Sequence, residues 1–232
     1  MTFVQIIDCK TDRVDEMNQL LDSWAEATRG KRTATHAMMG RDRSDSTHVL
    51  EIVEFPSYEE AMENSKLPET DRIFREMTAL CDGEPTFTDL DVVRDEQLNK
   101  LVVRSFVEEV INNGDPSAAD RLCTGDYREH DPSLSSYDVD LATAKAENQE
   151  LFDAFAPHCV IESLVAEGDT VCMRMSYRGH HRAAYKGIEA TGRDLSGTGQ
   201  ATFRCEGGKI AESWWNVDDL GLMRQLGVVT QE

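Results

Sequence analysis

The sequence that decides the fold of the C-terminal half reads GHHRAAYKGIEATGR at residues 179–193, and it is followed by FR at 203–204, GGKIAESW at 207–214 and DDLGLMRQLG at 218–227. The glycines between residues 192 and 208 are too sparse for a nucleotide-binding fingerprint. We interpret them as bends in curved β-strands. The last stretch places an aspartate before an apolar repeat that ends in glycine, which is typical of a short helix.

Just upstream, apolar residues occupy every second position. This pattern indicates a β-strand with one buried face. Between residues 171 and 181 one face carries Val171, Met173, Met175, Tyr177 and His181, and the other carries Cys172, Arg174, Ser176, Arg178 and His180. The first face is apolar except at its end, so we expect it to line a cavity with His181 at the rim. His180 and His181 point to opposite sides of the strand, so we expect no shared metal ion.

In this order, the segments resemble the SnoaL-like polyketide cyclases, a family with the NTF2-like cone fold. The resemblance begins near Leu98, reaches almost to the C-terminus and implies a bent antiparallel sheet with three helices around one apolar pocket. It also implies ring closure by intramolecular aldol condensation without metal or cofactor. Such a reaction needs one general acid/base group and a dry pocket that holds the reacting ends together.

The resemblance points to three catalytic candidates. His181 matches the family's Gly-x-His, and His130, within YREHDP, matches a His-Asp-Pro segment near the pocket mouth or is only part of a turn. In the family the acid usually lies in Glu-His-Trp-Asp-x-x-Asp, where this chain reads ESWWNVD at residues 212–218. Trp215 takes the first aspartate position, and Asp218 takes the second.

Asp218 has two interpretations, because it also precedes a helical stretch and suits an N-cap. If the pocket is catalytic, the acid/base work moves to His181, assisted by His130 or Asp131. We expect the substrate to be bound by apolar and aromatic side chains, namely Met173, Met175, Tyr177, Tyr185, Phe203 and Trp215.

The N-terminal half reads strand, helix, strand, strand, helix, strand, which is the split βαβ pattern of ferredoxin-like domains. With the segment VEFPSYEEA at residues 53–61 it resembles the dimeric α+β barrel family that includes antibiotic-biosynthesis monooxygenases. That resemblance implies a homodimer. The charged junction 94–96 gives the boundary, so we predict an α+β protein with a ferredoxin-like domain at 1–95 and an NTF2-like domain at 96–232.

The net charge of −20 is spread evenly, because residues 1–95 hold 11 basic and 21 acidic residues and residues 96–232 hold 13 and 23. Such a surface repels nucleic acid and anionic membranes. The N-terminal MTFVQIID has no basic region, and its apolar run stops at Asp8, so we expect no secretory signal and a cytoplasmic location. The six cysteines include no Cys-x-x-Cys pair, which indicates reduced thiols.

These observations predict a cofactor-independent cyclase or isomerase of secondary metabolism that acts on an apolar, polyketide-like carbonyl compound. Two alternatives remain open. One is a small-molecule-binding protein without catalysis, dimerised by its N-terminal half, which Trp215 in the acid position favours. The other is cofactor-free oxygenation in the N-terminal half, with His36 as the base that deprotonates a phenolic substrate.

Overall fold

The chain folds as two units, residues 1–95 and 96–232, in a computed structural model that describes residues 1–95 and 97–229. Glu96, part of the predicted junction, lies outside the described residues. Each unit has its own sheet. Among the described residues, no helix is long and apolar enough to cross a membrane.

The N-terminal unit is built on one antiparallel sheet with strand order β2-β3-β1-β4. Its elements are β1 (Phe3–Lys10), α1 (Val14–Ala27), β2 (His36–Arg41), β3 (His48–Phe55), α2 (Tyr58–Ser65), α3 (Pro68–Thr78) and β4 (Thr86–Asp91). Sheet order and strand direction are compatible with the predicted ferredoxin-like domain. The dimeric barrel assignment and the homodimer remain predictions.

One face of this sheet is buried against helical side chains, since Cys9 and Val49 form a core cluster with Met17 of α1 and Met77 of α3. Glu51 of β3 lies on the same face and is 8% exposed. Burial raises the pKa of its carboxyl to about 7, because desolvation disfavours the charged form. By contrast, His36 is exposed on edge strand β2, so the enclosed base that oxygenation requires is not assembled around it.

The C-terminal unit begins with a long helix that closes one side of its sheet. This helix, α4, runs from Leu98 to Ser105 and continues with π-helical geometry from Phe106 to Asn112. The remaining elements are a 3-10 turn (Pro116–Ala118), α5 (Ala119–Leu122), β5 (Cys123–His130), β6 (Asp138–Asp140), α6 (Leu141–Phe155), β7 (His158–Glu167), β8 (Thr170–His180), β9 (Asp194–Glu206), β10 (Lys209–Val217) and α7 (Asp219–Leu226).

The six strands are ordered β6-β5-β10-β9-β8-β7, and only the β5–β10 pair is parallel. Register shifts in β7 and β10 interrupt the ladders, as bulges do where a sheet bends. The alternation predicted for β8 is confirmed, since Val171, Met173 and Met175 are buried while Cys172 and Arg174 are exposed. These inward side chains belong to the core cluster that includes Val102 and Val103 of α4, and Met175 also lines a cavity.

Glycine at position 179 lets α6 end directly against β8. A Cβ added there would lie 2.7 Å from the carbonyl oxygen of Phe155, the last residue of α6. The helix stops at Ala156, which adopts a left-handed conformation with φ +43°. This close approach brings the C-terminal end of α6 over the inner face of the sheet, where it forms one wall of the cavity.

Candidate functional site

The C-terminal unit encloses a cavity of about 150 Å³ between its sheet and its helices. By this measure one water needs about 10–15 Å³, so the cavity has room for a small organic molecule. Most of the wall is apolar, and aromatic side chains contribute much of it: Phe106, Phe152, Phe155, Tyr177, Tyr185 and Trp215. Such a wall suits a flat, conjugated ligand.

Three carboxylic acids, Glu129, Asp131 and Asp219, supply the acidic part of this lining. Among the described residues, the lining includes no lysine, arginine or histidine. The described residues also contain no group of three or more histidine, cysteine, aspartate or glutamate side chains that could hold a metal ion. The chemistry of the pocket is therefore that of carboxyl groups in an apolar enclosure.

Glu129 is the most deeply buried of the three and is 4% exposed. It lies on β5, where the strand alternation turns Tyr127 and Glu129 inward and exposes Arg128. Burial raises the pKa of Glu129, although hydrogen bonds from Tyr127 and Asn148 act in the opposite direction. The Glu129 carboxyl therefore loses its proton less readily than a carboxyl in water.

A chain of hydrogen bonds fixes the Glu129 carboxyl. The Tyr127 hydroxyl donates to Oε2 at 2.7 Å, and the Asn148 amide donates to Oε1 at 3.0 Å. Tyr127 is also 2.6 Å from the hydroxyl of Ser213, which accepts the indole N–H of Trp215 at 3.0 Å. Because an indole nitrogen only donates, the Ser213 hydroxyl is free to donate onward to Tyr127. Trp215, which lines the pocket, is thereby linked to the buried acid.

Asp219 is the second pocket acid and the first residue of α7. Burial raises its pKa, and the negative charge of Asp131 adds to that rise, while Lys186 opposes it. Asp131 itself accepts the backbone N–H of Ser133 at 2.7 Å. The pocket therefore holds a second carboxyl whose proton affinity is increased by its surroundings.

Asp218 is not among the pocket-lining residues. Its carboxylate accepts the backbone N–H of Gly221 at 2.8 Å, so it is the N-cap of α7. Of its two interpretations the structure supports the cap, and the neighbouring carboxyl of Asp219 reaches the pocket instead. The alternation of side chains along β10 could not predict this, because β10 ends at Val217 and the side chains from Asp219 onward follow the period of a helix.

Asp218→Ala should lower the free energy of unfolding by about 1 kcal/mol, because the first turn of α7 loses its cap. Urea denaturation would measure that change. We expect the ligand affinity of the pocket to change little, because Asp218 does not line the pocket and acts on it only through its charge, which is felt by Asp219 and Tyr177. Asp218→Asn keeps a capping oxygen and is the control; a large loss of ligand binding in it would contradict this assignment.

His181 lies behind the pocket wall and not at its rim. Its side chain is 0% exposed, and its ring centre is 5.0 Å from that of Phe155, which does line the pocket. Its Nδ1 accepts the backbone N–H of Thr191 at 3.2 Å. His181 thus holds the loop between β8 and β9 in place, and a direct catalytic role is not supported.

His130 is also displaced from its predicted position. The alternation that turns Glu129 inward turns His130 to the other face of β5. There its Nε2 pairs with Glu212 at 2.9 Å, and its ring stacks on Trp214 at a centroid distance of 5.1 Å. The same period-two pattern in YREH could have indicated Glu129 from the sequence.

Of the six predicted substrate-binding residues, four line the pocket: Met175, Tyr177, Tyr185 and Trp215. Met173 and Phe203 are fully buried in the core beneath the pocket and do not reach its surface. Tyr177 also has a buried hydroxyl for which the described residues offer no hydrogen-bond partner. The hydroxyl lies against Gly197 of β9, where an added Cβ would be 2.3 Å away.

A family model described as SnoaL-like polyketide cyclase matches residues 101–226. Among solved structures, TsrD from Streptomyces laurentii is 28% identical with a TM-score of 0.51, over 59% of this chain and 99% of TsrD. A Jannaschia sp. CCS1 protein assigned to the SnoaL-like polyketide cyclases is 21% identical with a TM-score of 0.53, over 61% and 99%.

IdmH from Streptomyces antibioticus, assigned as a polyketide cyclase, is 24% identical with a TM-score of 0.50, over 57% of this chain and 99% of IdmH. Likenesses at this level of identity support the fold alone. No curated protein matches the chain.

Proposed function

This chain belongs to the SnoaL-like polyketide cyclase family, and we propose that its C-terminal unit is a cofactor-independent cyclase or isomerase in which Glu129 and Asp219 carry out general acid/base catalysis. The observation that carries this proposal is the buried, hydrogen-bonded carboxyl of Glu129 on the wall of an apolar pocket. Membership of the family supports the reaction class.

In the proposed reaction, a carboxylate removes the acidic C–H proton next to a substrate carbonyl. The resulting enolate carbon attacks a second carbonyl of the same molecule and forms a C–C bond, and a carboxylic acid protonates the oxygen of that carbonyl. Asp219 suits the base, because it is only partly buried. Glu129 suits the acid, because its burial favours the protonated form. Because different surroundings give two carboxyls different pKa values, one can act as the base while the other acts as the acid.

The aromatic wall would hold the reacting ends of a conjugated substrate together, which supplies rate through orientation. Trp215 stands where the family's usual acid stands, and its N–H reaches Ser213 and, through it, Tyr127 and Glu129. We infer that the catalytic acid of this chain lies on β5, whereas the family usually carries it on the strand that corresponds to β10. The two positions are close because Ser213 and Glu129 are directly paired in the parallel ladder.

The acidic lining predicts that the pocket selects uncharged ligands. A methyl ester of an aromatic polyketide-type ligand should bind at least about 10-fold more tightly at pH 7.5 than the corresponding free acid, because an anion would be desolvated beside Glu129, Asp131 and Asp219. Isothermal titration calorimetry with a matched ester and acid would measure this ratio.

Asp219→Asn removes the charge of the proposed base while keeping its shape, so it should narrow that ratio. Glu129→Gln should change the ratio less, because the Glu129 carboxyl is proposed to be protonated. Asp218→Asn should also change it less than Asp219→Asn, because Asp218 lies outside the pocket and acts on Asp219 only through its charge. Tighter binding of the free acid to the unmodified chain would contradict the proposed substrate class.

Binding without conversion is a second candidate function, and Trp215 at the usual acid position favours it. It predicts that a ligand bound by the pocket is recovered chemically unchanged. Product analysis by liquid chromatography after long incubation separates the two candidates, because aldol ring closure or isomerisation leaves the ligand mass unchanged but gives a product with a different retention time.

A further inference from the structure

Two cysteine side chains meet in the N-terminal unit, away from the pocket. Cys9 lies near the end of β1, Cys81 follows α3, and interaction with Cys81 contributes to the raised pKa of the Cys9 thiol. The Cys81 thiol itself donates to the carbonyl oxygen of Met77 at 3.3 Å. Both belong to the apolar cluster between the sheet and the helices, and both are free thiols. They are 72 positions apart in sequence, so this contact is a product of the fold.

The backbone holds the two segments side by side. The N–H of Asp82 donates to the carbonyl of Lys10 at 2.7 Å, and the hydroxyl of Thr11 donates to the carbonyl of Leu80 at 2.7 Å. These two bonds join the residues on either side of Cys81 to the two residues that follow Cys9. Because the fold has already brought the two sulfurs together, a reaction between them benefits from high effective concentration.

The two thiols differ in accessibility. Cys9 is 7% exposed, and its pKa is raised to about 12 by burial, by contact with Cys81 and by the negative charges of Asp8 and Glu51. Cys81 is only partly buried. A reagent from solvent therefore meets Cys81 first, and Cys9 is the thiol that can react with whatever forms on Cys81.

We propose that Cys9 and Cys81 form an oxidisable dithiol, which a hydroperoxide converts to an intrachain disulfide between β1 and the segment after α3. In the first step the Cys81 sulfur attacks a peroxide oxygen and the O–O bond breaks, which gives a sulfenic acid and, from hydrogen peroxide, one water. In the second step the Cys9 sulfur attacks the Cys81 sulfur, the S–O bond breaks, and the thiol proton leaves with the hydroxide as a second water. Two thiols lose two electrons, and the peroxide gains them.

The remaining cysteines provide the controls. Cys123, Cys159 and Cys205 are buried in the C-terminal unit. Cys172 is exposed on β8 and contacts the hydroxyl of Thr202 at 3.7 Å. A sulfenic acid on Cys172 therefore has no thiol placed beside it by the fold, whereas one on Cys81 does.

The test treats the full chain with hydrogen peroxide, blocks remaining thiols, and digests it with trypsin without reductant. We expect one cross-linked species, residues 1–10 joined to residues 76–94, that disappears on reduction. It should form equally in Cys172→Ser and be absent in Cys9→Ser and Cys81→Ser. In Cys9→Ser, a dimedone-type reagent should trap a sulfenic acid on Cys81.

Two results would overturn the inference. One is oxidation of Cys81 to sulfinic or sulfonic acid in the unmodified chain without any linked peptide. The other is a linked peptide that contains Cys172 in place of this pair. Both single serine variants replace a thiol by a slightly smaller hydroxyl, and their circular dichroism spectra would show whether the fold is kept. None of these readouts depends on the chemistry of the pocket.

Discussion

Glu129→Gln is expected to lower kcat of the cyclase or isomerase reaction by roughly 10²–10⁴-fold, the range that one general acid contributes. The amide keeps the shape of the side chain, but its single carbonyl oxygen can accept from only one of Tyr127 and Asn148, whose donors are 2.7 and 3.0 Å away, and its NH2 group faces the other. It has no proton to transfer at neutral pH. Ligand affinity should therefore change far less than kcat.

The pH dependence gives an independent reading of the same role. The pKa of Glu129 is raised by burial, so its protonated form persists to a higher pH than in water. If that form is the acid, kcat/KM falls on the alkaline side as pH passes the raised pKa. This alkaline fall should be absent from the residual activity of Glu129→Gln.

Trp215→Phe is the matched control, because it keeps an aromatic ring at the pocket wall and removes only the N–H that donates to Ser213. We expect a much smaller loss of kcat than in Glu129→Gln, together with a shifted alkaline limb. Full turnover by Glu129→Gln on a substrate that the unmodified chain converts would exclude Glu129 as the acid.

How far the sequence predicts this molecule depends on the kind of signal. The cone domain was predictable because glycine spacing and the alternation of β8 are local patterns, and the buried residues Val171, Met173 and Met175 follow that alternation. The pocket lining was predicted in part from the same periodicity. The N-terminal assignment rests on element order, and the observed sheet is only compatible with it.

The catalytic candidates were harder to predict, because their positions depend on contacts between distant segments. Glu129 meets Asn148 of α6 and lies beside Ser213 of β10. His181 is drawn out of the pocket by Thr191 and covered by Phe155. Asp218 caps α7, and Asp219, the first residue of that helix, reaches the pocket. No single-strand pattern contains that information.

Glu51→Gln is expected to stabilise the chain at pH 8 by about 3 kcal/mol relative to the unmodified protein, and to change its stability little at pH 4. The folded-state pKa of Glu51 is about 7, against an ordinary glutamate value of 4.5. Each unit of difference corresponds to about 1.4 kcal/mol. Burial is the cause, and a neutral amide avoids that desolvation penalty at every pH.

The direction of this pH dependence follows from the number of protons that the folded and unfolded states bind. Between pH 4.5 and about 7 the folded state holds the Glu51 proton while the unfolded state has released it, so raising the pH favours unfolding across this window. The contribution of Glu51 to the free energy of unfolding is therefore greatest below pH 4.5 and is lost as pH rises to about 7. Glu51→Gln should abolish this part of the pH dependence.

Urea denaturation at a series of pH values would measure the effect, with hydrogen exchange of β3 reporting on the unit that holds Glu51. Glu54→Gln is the matched control, because Glu54 lies on the same strand but is turned to the other face and is not buried. If the free energy of unfolding of both variants has the same pH dependence as that of the unmodified chain from pH 4.5 to 8, the Glu51 carboxyl is solvated in the folded protein. The packing of β3 against the helices would then be looser than the structure shows.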